Sequence, residues 1–266
     1  MIDLELTRLD SLLNYFSKKS LVTELNQNLR IKAPGDIIYL FSLCDSVSNL
    51  TNGLFDISIA PLVKAWGFYE GKKRVPDSCE IEKLKPLVDF RKIKIEKDSI
   101  IIEKGMQVDL AGIAQGYAAD RVGMILRQRS VRSAIIDIGG EILCIGESPR
   151  GGPWRVGIKN PRGKGIIETV ELKDSAVSTS GDYEKFFVID NKRYCHIIDP
   201  GTGYPARNFA SVTIFAKSAG FADALATAVS IMEREQAIKF LDSLKIHAII
   251  YYYDRKDQKL HRLEVK

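Results

Sequence analysis

The spacing of apolar residues changes about a third of the way along the chain, and this change restricts the fold strongly. Near the N-terminus apolar residues recur every three or four positions, which is the period of an amphipathic helix; the stripe consists of Ile2, Leu6, Leu9, Leu13 and Phe16. From residue 91 onward apolar and polar residues alternate, as Ile93 and Ile95 do with their neighbours, which predicts strands. Helices concentrated early and strands later predict one α+β domain over residues 1–266, with a mixed, mainly antiparallel sheet and flanking helices.

The same periods place the remaining elements. We expect a helix after Pro34 that ends before Gly53, and a charged surface loop over 70–85. Turn residues between apolar runs predict two hairpins, one over 93–102 and one over 186–198. The other predicted elements are strands over 154–158, 211–215 and 246–253 and helices over 111–127, 221–232 and 236–244.

Composition excludes several classes of protein. Apolar residues make up 45% of the 266 residues and charged residues 27%, as in globular chains rather than disordered or fibrous ones. The net charge of +5 is spread thinly, so no nucleic-acid-binding stripe is predicted. The four cysteines lack the spacing of zinc ligands. Because no apolar run reaches about 18 residues and the chain begins with acids rather than bases, the sequence predicts neither a membrane span nor a signal peptide.

Two glycine-containing segments are candidates for approach by a ligand. Asp109 lies at a predicted strand-to-helix junction, where its carboxylate either caps the helix or precedes small residues that let a ligand reach the helix amides. Paired Gly139 and Gly140 interrupt an apolar strand over 134–144, which predicts a β-bulge there rather than a close backbone contact.

The richest polar segment surrounds a histidine. His196 lies near the end of a predicted strand, before a turn rich in glycine and proline, with hydroxyl groups and Asp199 nearby in the sequence. Loops at strand ends commonly carry functional groups. His196 is therefore the histidine with a candidate function, whereas His247 and His261 are predicted to be structural.

A predicted helix near the C-terminal end carries a candidate cation site. Asp223 and Thr227 are four residues apart, so their oxygens share one helix face. A carboxylate and a hydroxyl that point together suit a hard cation such as Mg²⁺. The alternative is structural, with Asp223 as a helix N-cap and Thr227 bonded to the backbone of its own helix.

Taken together and in this order, these segments resemble the ApbE family of FAD:protein FMN transferases. The resemblance runs from about Leu9 to the C-terminus. Its motifs are the runs over 53–56, 66–68, 108–118 and 138–140, then Thr179-Ser180-Gly181-Asp182-Tyr183, His196-Ile197-Ile198-Asp199-Pro200 with 202–205, and 222–228.

The resemblance implies an ApbE-like fold and an enzyme that uses Mg²⁺ to attach the FMN half of FAD to a threonine hydroxyl of a partner protein, with release of AMP. It implies FAD and Mg²⁺ as ligands and flavin-accepting subunits of Nqr- and Rnf-type redox complexes as partners, with no role for nucleic acid and a homodimer left open. It also implies a lipid-anchored location on the outer, periplasmic face of the inner membrane. By position, the implied site residues are His196 as the catalytic histidine, the Gly112 carbonyl, Asp223 and Thr227 as Mg²⁺ ligands, and Leu54, Phe55, Asp56, Asp109, Gln115 and Ile197 as FAD contacts.

The chemistry of these residue types agrees with that reaction. A cation beside the pyrophosphate neutralises charge and stabilises the leaving phosphate. The incoming threonine loses a proton, which an imidazole with its ordinary pKa of about 6.5 can accept. His196 either accepts this proton or positions a phosphate, and we expect the first.

Three features depart from the family pattern. The family's first strand, which contains Met-Gly-Thr, has no counterpart before the first helix; Lys19 stands where transferases often have a tyrosine that packs on FAD; and Gln115 stands where lysine or glutamate is common. Weak FAD binding at Lys19 would favour release over transfer. The alternatives are therefore a Mg²⁺-dependent pyrophosphatase that splits FAD into FMN and AMP, and a non-catalytic flavin-binding protein, against which the presence of His196, Asp223 and Thr227 argues.

Overall fold

The structure is a computed structural model that describes residues 1–254, 257 and 259–266. Within these residues the α-helices are α1 (Ile2–Leu13), α2 (Leu21–Asn28), α3 (Gly35–Leu50), α4 (Ala60–Ala65), α5 (Ser78–Leu84), α6 (Ala114–Gln128), α7 (Ala219–Ile231) and α8 (Arg234–Ser243). The strands are β1 (Arg30–Lys32), β2 (Lys94–Glu96), β3 (Ser99–Ile101), β4 (Ala134–Ile138), β5 (Glu141–Ile145), β6 (Trp154–Lys159), β7 (Ile166–Leu172), β8 (Ala176–Gly181), β9 (Phe186–Ile189), β10 (Lys192–Cys195), β11 (Ser211–Ala216), β12 (Ala248–Tyr253) and β13 (Leu260–Val265). The predicted class, helices with antiparallel sheets, is confirmed.

The backbone divides into two compact units, which are described separately below. The first unit comprises Met1, Asp3–Gly112 and Lys185–Ala206, and the second comprises Ile2, Ile113–Glu184 and Arg207–Lys266. The single domain expected over residues 1–266 stays a prediction.

The first unit contains two small sheets and five helices of the described chain. Strands β1, β3 and β2 form one antiparallel sheet, and β9 and β10 form a hairpin, so both predicted hairpins are present. Helix α3 ends where the sequence indicates, because Gly53 adopts a positive φ of 82° and donates its amide to the Ser48 carbonyl at 2.7 Å.

A tryptophan holds the turn that follows His196. Trp66 is fully buried, packs on the ring of Tyr194 and donates its indole N–H to the Gly203 carbonyl at 2.9 Å. Gly203 has a φ of 77°, and a Cβ there would lie 2.4 Å from Ile81 Cγ2. This position therefore requires glycine, and the turn is fixed to the core of its own unit.

The second unit is a six-stranded antiparallel sheet in the order β13-β12-β11-β8-β5-β4, covered on its two faces by different elements. Helices α6 and α7 cover one face, and almost every residue of α7 is buried. The β6–β7 hairpin packs on the other face through an apolar cluster that includes Val156, Leu172 and Val177. Because side chains alternate along β8, Ser178 and Ser180 point to the helix-covered face.

Several local predictions are wrong for identifiable reasons. Phe16 lies beyond the end of α1 and is 58% exposed, so it is not part of that helix's buried stripe. The segment over 70–85 is not all loop, because Asp77 caps α5 by accepting the Cys79 amide. Helices α2 and α4 and strands β1, β7 and β8 have no counterpart among the elements predicted from the sequence.

The paired glycines form a turn and not a bulge. Gly139 and Gly140, with φ of 69° and 104°, connect β4 to β5, and Ile138 pairs directly with Glu141. A two-residue hairpin loop favours positive φ at both positions, which glycine adopts without strain. The run over 134–144 is therefore two strands. None of the helices in the described part of the chain is long and apolar enough to span a membrane.

Candidate functional site

Asp109 is held in one orientation in the first unit by two donors. Its Oδ1 accepts the Ala111 amide at 2.9 Å, and its Oδ2 accepts the Tyr69 hydroxyl at 2.5 Å. Helix α6 begins only at Ala114, so Asp109 stabilises the preceding turn and is not the N-cap that the sequence suggested. Burial raises the pKa of Asp109, whereas the Tyr69 hydrogen bond and the charge of Lys185 lower it.

Three aromatic rings lie beside this carboxylate. The Tyr15 and Tyr69 rings are 4.4 Å apart, and Phe16 meets each of them edge-on at 5.5 Å. The Tyr15 hydroxyl donates to Gln107 Oε1 at 3.2 Å. Lys19, the departure noted in the sequence, is exposed, and aromatic side chains occupy this turn at residues 15 and 16 instead.

His196 is held as a neutral imidazole. Its amide and its Nδ1 both face the Lys185 carbonyl, at 3.0 and 3.2 Å. A carbonyl only accepts, so Nδ1 carries the proton and Nε2 retains its lone pair. Burial and the charge of Lys185 lower the pKa of His196 to about 4, well below the ordinary value assumed from the sequence. The Phe68 and His196 ring centroids are 6.5 Å apart, and the next residue, Tyr69, bonds to Asp109, so both groups adjoin the segment over 68–69.

Asp199 does not orient His196, although the two are close in sequence. Its two oxygens accept the Gly201 amide and the Thr202 hydroxyl, both at 2.8 Å. Asp199 therefore stabilises the turn itself. Ile197 is buried, and its carbonyl accepts the Ala206 amide.

The segment over 54–56 is anchored by its side chains. Phe55 and Asp56 are both buried, whereas Leu54 is half-buried. Asp56 Oδ1 accepts the amide and hydroxyl of Ser58, and its Oδ2 accepts the Phe90 amide at 2.9 Å. These donors oppose the rise in the pKa of Asp56 that burial causes. Asp56 thus fixes a loop to the rest of its unit.

In the second unit, helices α6 and α7 each supply a carboxylate to the other's first turn. Asp120 of α6 accepts the Ser218 hydroxyl and the Ala219 and Gly220 amides at 2.7 to 2.9 Å. Asp223 of α7 accepts the Gly116 amide at 3.1 Å. The helices approach so closely that a Cβ on Gly116 would lie 2.4 Å from the Ala219 carbonyl oxygen. Asp223 therefore meets an amide of another helix and is not the N-cap of its own.

Asp223 belongs to a polar cluster that we name the helix–sheet cluster, composed of Glu141, Ser178, Ser180, Asp223 and Thr227. Ser180 Oγ and Thr227 Oγ1 are 3.3 Å apart, and the Ser178 hydroxyl donates to Glu141. Both carboxylates are buried, at 7% and 5% exposure for Glu141 and Asp223. Burial and then the charge of Asp223 raise the pKa of Glu141, and burial also raises the pKa of Asp223, opposed by the Gly116 amide.

The donor set of this cluster fits a hard cation. Among the described residues, the charges of Asp223, Glu184 and Asp137 raise the pKa of Glu141, and that of Glu184 raises the pKa of Asp223. Buried charges of one sign need a proton or a metal ion. No group of three or more His, Cys, Asp and Glu side chains forms a metal site among the described residues, so a cation here would take carboxylate, hydroxyl and other oxygen ligands, as Mg²⁺ prefers.

Gln115 lies over the β4–β5 turn. Its side chain is so close to Gly139 that a Cβ there would lie 2.3 Å from Gln115 Nε2. A glutamine in place of a charged residue therefore leaves an uncharged amide over an exposed backbone turn.

The predicted site residues fall into both units. Leu54, Phe55, Asp56, Asp109, Gly112, His196 and Ile197 are in the first, and Gln115, Asp223 and Thr227 are in the second. Within their units, Asp109 and His196 both adjoin the segment over 68–69, and Asp223 shares a helix face with Thr227, as the four-residue spacing predicts. Their assignment as ligands and catalytic groups stays a prediction.

Sequence analysis missed three groups that complete these arrangements: Tyr69, Asp120 and Glu141. The signal for Glu141 was an acid in a strand that is otherwise apolar over Ile142 to Ile145. Tyr69 and Asp120 gave no signal, because each meets partners distant in the sequence. His247 bonds to Glu264 and stacks on Phe215, a structural role as predicted.

Comparison with known proteins identifies the family. The model of the ApbE family matches residues 1–250. This chain belongs to the ApbE family.

Relatives of known name agree with this assignment. The FAD:protein FMN transferase of Haemophilus influenzae is 30% identical over 252 residues, which cover 88% of this chain and 73% of the relative. The protein of the same name from Vibrio cholerae is 34% identical over 210 residues, covering 77% of this chain and 63% of the relative. The crystal structure of the ApbE protein of Thermotoga maritima, 32% identical, superposes with a TM-score of 0.90 over 98% of this chain and 87% of that one.

The predicted family and the predicted fold are thus confirmed, and so is the enzyme class, since the ApbE relatives are transferases that act on a flavin. The chain nevertheless spans less than two thirds of the Vibrio cholerae relative. The reaction in detail is therefore a proposal.

Proposed function

We propose that this chain transfers the FMN half of FAD to a threonine hydroxyl of a partner protein, in a Mg²⁺-dependent reaction that releases AMP. The observation that carries the proposal is the helix–sheet cluster, in which buried carboxylates whose pKa values are raised by burial and by other acids lie beside hydroxyl oxygens in a chain of this family. A non-catalytic carrier of flavin has no use for such a cluster.

Asp223, Thr227 and the Gly112 carbonyl would hold the cation. Asp223 supplies charge, with one oxygen fixed by the Gly116 amide, and Thr227 adds a neutral oxygen from the same helix face. When bound, Mg²⁺ supplies neutralisation of phosphate charge and stabilises the departing phosphate. The assignment of the Gly112 carbonyl rests on the family resemblance.

His196 would act as the general base. The threonine Oγ forms a new bond to the phosphorus of the FMN half, and the anhydride bond to AMP breaks, with its electron pair leaving on the AMP phosphate. The threonine proton goes to His196 Nε2, the nitrogen that Nδ1 protonation leaves free. The lowered pKa keeps this imidazole neutral throughout the physiological range, although it makes the base weaker.

The other predicted residues would bind FAD. Asp109 retains one acceptor position on each oxygen, which suits hydroxyl or ring N–H donors of a nucleotide. Two places would contact FAD mainly through the backbone, the segment over 54–56 and Ile197. The reason is that the side chains of Phe55, Asp56 and Ile197 are buried. Gln115 would offer its side-chain amide from the exposed turn.

Partners and location are proposed from the family resemblance alone. The acceptors would be flavin-carrying subunits of Nqr- and Rnf-type redox complexes, and the enzyme would act on the outer face of the inner membrane through a lipid anchor. A homodimer belongs to the same proposal.

The test is mass spectrometry of a purified Nqr-type acceptor subunit after incubation with this protein, FAD and Mg²⁺. We expect a mass increase of one FMN on a threonine peptide, together with free AMP. Chelation of the metal and replacement of the acceptor threonine by alanine should each abolish the increase.

Two outcomes would replace the proposal. Free FMN and AMP with an unmodified acceptor would show a pyrophosphatase, in which water takes the place of threonine. FAD that stays bound and intact would show a carrier.

A further inference from the structure

A tyrosine that no motif contains controls the orientation of Asp109. Tyr69 follows the Trp66-Gly67-Phe68 run and is 40 residues from Asp109 in the sequence. Its hydroxyl reaches Asp109 Oδ2 at 2.5 Å, while the Ala111 amide holds the other oxygen. An O–H···O bond of this length is typical of a hydroxyl that donates to an ionised carboxylate.

The ring of Tyr69 is itself fixed. Tyr15 packs against it at 4.4 Å between ring centres, and Phe16 meets it edge-on. The Tyr69 hydroxyl is therefore restricted in position, and it donates to Oδ2 of Asp109. The backbone amide of Ala111 alone would hold Asp109 as part of a flexible turn, since a single hydrogen bond leaves the carboxylate free to rotate about it.

Tyr69 is a donor at every usable pH. Burial, and then the neighbouring negative charge of Asp109, raise the pKa of Tyr69 above that of an exposed phenol. Ionisation of the tyrosine is thereby suppressed, and the proton stays between the two oxygens on the tyrosine side.

We propose that Tyr69 is a positioning residue that holds Asp109 ready to bind the nucleotide substrate. It acts through Asp109 and need not touch FAD itself. The inference rests on the proposed function, in which Asp109 contacts FAD, and it adds the residue that sets the affinity of that contact.

The experiment compares Tyr69→Phe with Tyr15→Phe in the full chain. Each variant removes one hydroxyl and keeps a ring of the same aromatic cluster, but only Tyr69 bonds to Asp109, since the Tyr15 hydroxyl goes to Gln107. The measurements are the Kd for FAD from quenching of flavin fluorescence, its pH dependence, kcat and KM for transfer, and the melting temperature.

We expect Tyr69→Phe to weaken FAD binding by about tenfold and to raise KM in parallel, with kcat within about twofold of wild type. As the pH is lowered, the variant should also lose FAD binding at a higher pH than the wild type does. The Tyr69 hydroxyl lowers the pKa of Asp109, and without it only Lys185 and the Ala111 amide oppose the rise that burial causes. Tyr15→Phe should match the wild type in Kd and in pH dependence.

Other results would overturn the inference. If the two variants have equal Kd values, or if Tyr69→Phe lowers only the melting temperature, Tyr69 is merely part of the core. If Tyr69→Phe weakens FAD binding and Tyr15→Phe does not, but neither the variants nor the wild type transfers FMN, the proposed transfer reaction is overturned and the inference stands. A wild-type chain that binds no FAD would overturn both.

Discussion

The two units of the molecule hold their candidate residues by different means. In the first unit Asp56, Asp109 and His196 lie on loops, and protein donors or acceptors meet each of their side chains. In the second unit Asp223 and Thr227 lie on a helix and Glu141 on a strand, where regular structure fixes their positions. There the charge of Asp223 raises the pKa of Glu141, because the two acids repel each other.

The two units therefore differ in what a substitution should change: the orientation of side chains in the first unit and the balance of charge in the second. In the first unit Asp56, Asp109 and His196 already have hydrogen-bond partners, so removal of one should alter geometry, affinity or local stability. In the second unit burial and neighbouring acids raise the pKa values of Glu141 and Asp223, and a bound cation favours their ionised forms, so these residues should respond to a cation. Substitutions in the helix–sheet cluster should therefore change the metal dependence, whereas substitutions of Asp56, Asp109 and His196 should not.

The largest expected effect belongs to the cation site. Asp223→Asn keeps an oxygen for the Gly116 amide but removes the charge, so Mg²⁺-dependent transfer should fall by at least about a thousandfold, the equivalent of several kcal/mol. The unliganded protein should keep its melting temperature and lose the rise that Mg²⁺ produces, as differential scanning fluorimetry would measure.

Asp120→Asn is the matched control for that substitution. Asp120 lies at the same pair of helices but accepts only the donors that begin α7. It should lower the melting temperature and retain the response to Mg²⁺. The comparison between units is wrong if both variants respond to Mg²⁺ alike.

The next largest effect belongs to His196. His196→Ala should slow single-turnover transfer by about a hundredfold, the low end for loss of a general base, because a pKa of about 4 makes a weak base. FAD binding should change little. His261→Ala, at a half-buried histidine paired with Asp257, is the control and should leave the rate unchanged.

The pH profile sharpens this assignment. The rate of wild-type transfer should fall as the pH drops through about 4, where His196 becomes protonated, and not through about 6.5. The same lowered pKa means that the unfolded chain binds the proton first, so stability due to His196 should fall as the pH drops from about 6.5 to about 4. If the wild-type rate instead falls near pH 6.5, and His196→Ala abolishes that fall, then burial does not suppress protonation of the His196 imidazole.

A smaller effect is expected for the anchored loop of the first unit. Asp56→Ala removes the acceptor of three hydrogen bonds, so the free energy of unfolding should fall by about 1–3 kcal/mol in urea titrations. The Mg²⁺ concentration for half-maximal activity should be unchanged. A shift in that concentration would show that this loop contributes to cation binding.

The smallest effect has the opposite sign. Burial and the charge of Asp223 raise the pKa of Glu141 to about 9, so at neutral pH the folded metal-free protein holds a proton there that the unfolded chain has lost. Glu141→Gln removes this cost of protonation, so the metal-free protein should gain about 1 kcal/mol at neutral pH. Because the folded pKa of Glu141 is raised, its contribution to stability falls as pH rises above the ordinary carboxyl range, and Gln should remove that fall. Glu171→Gln, at an exposed acid of β7, should show neither change.

Local spacing predicted part of the site correctly. Asp223 and Thr227 share a helix face because four residues make about one turn, whatever surrounds the helix. The stop at Gly53 also followed from a local rule, since its positive φ closes α3. Spacing did not reveal that Asp223 bonds to Gly116, which is 107 residues away.

The sequence by itself determined the class of fold, the positions of most helices and hairpins, and the motifs that identify the ApbE family. These depend on periodicity, turn chemistry and residue order, which are local properties of the chain. Only the tertiary structure decided the states of the polar groups: the neutral imidazole of His196, the fixed carboxylate of Asp109 beside Tyr69 and the repelling pair of Glu141 and Asp223. The reason is that burial and distant partners set the pKa and the orientation of a side chain, and both arise only when separate segments pack together.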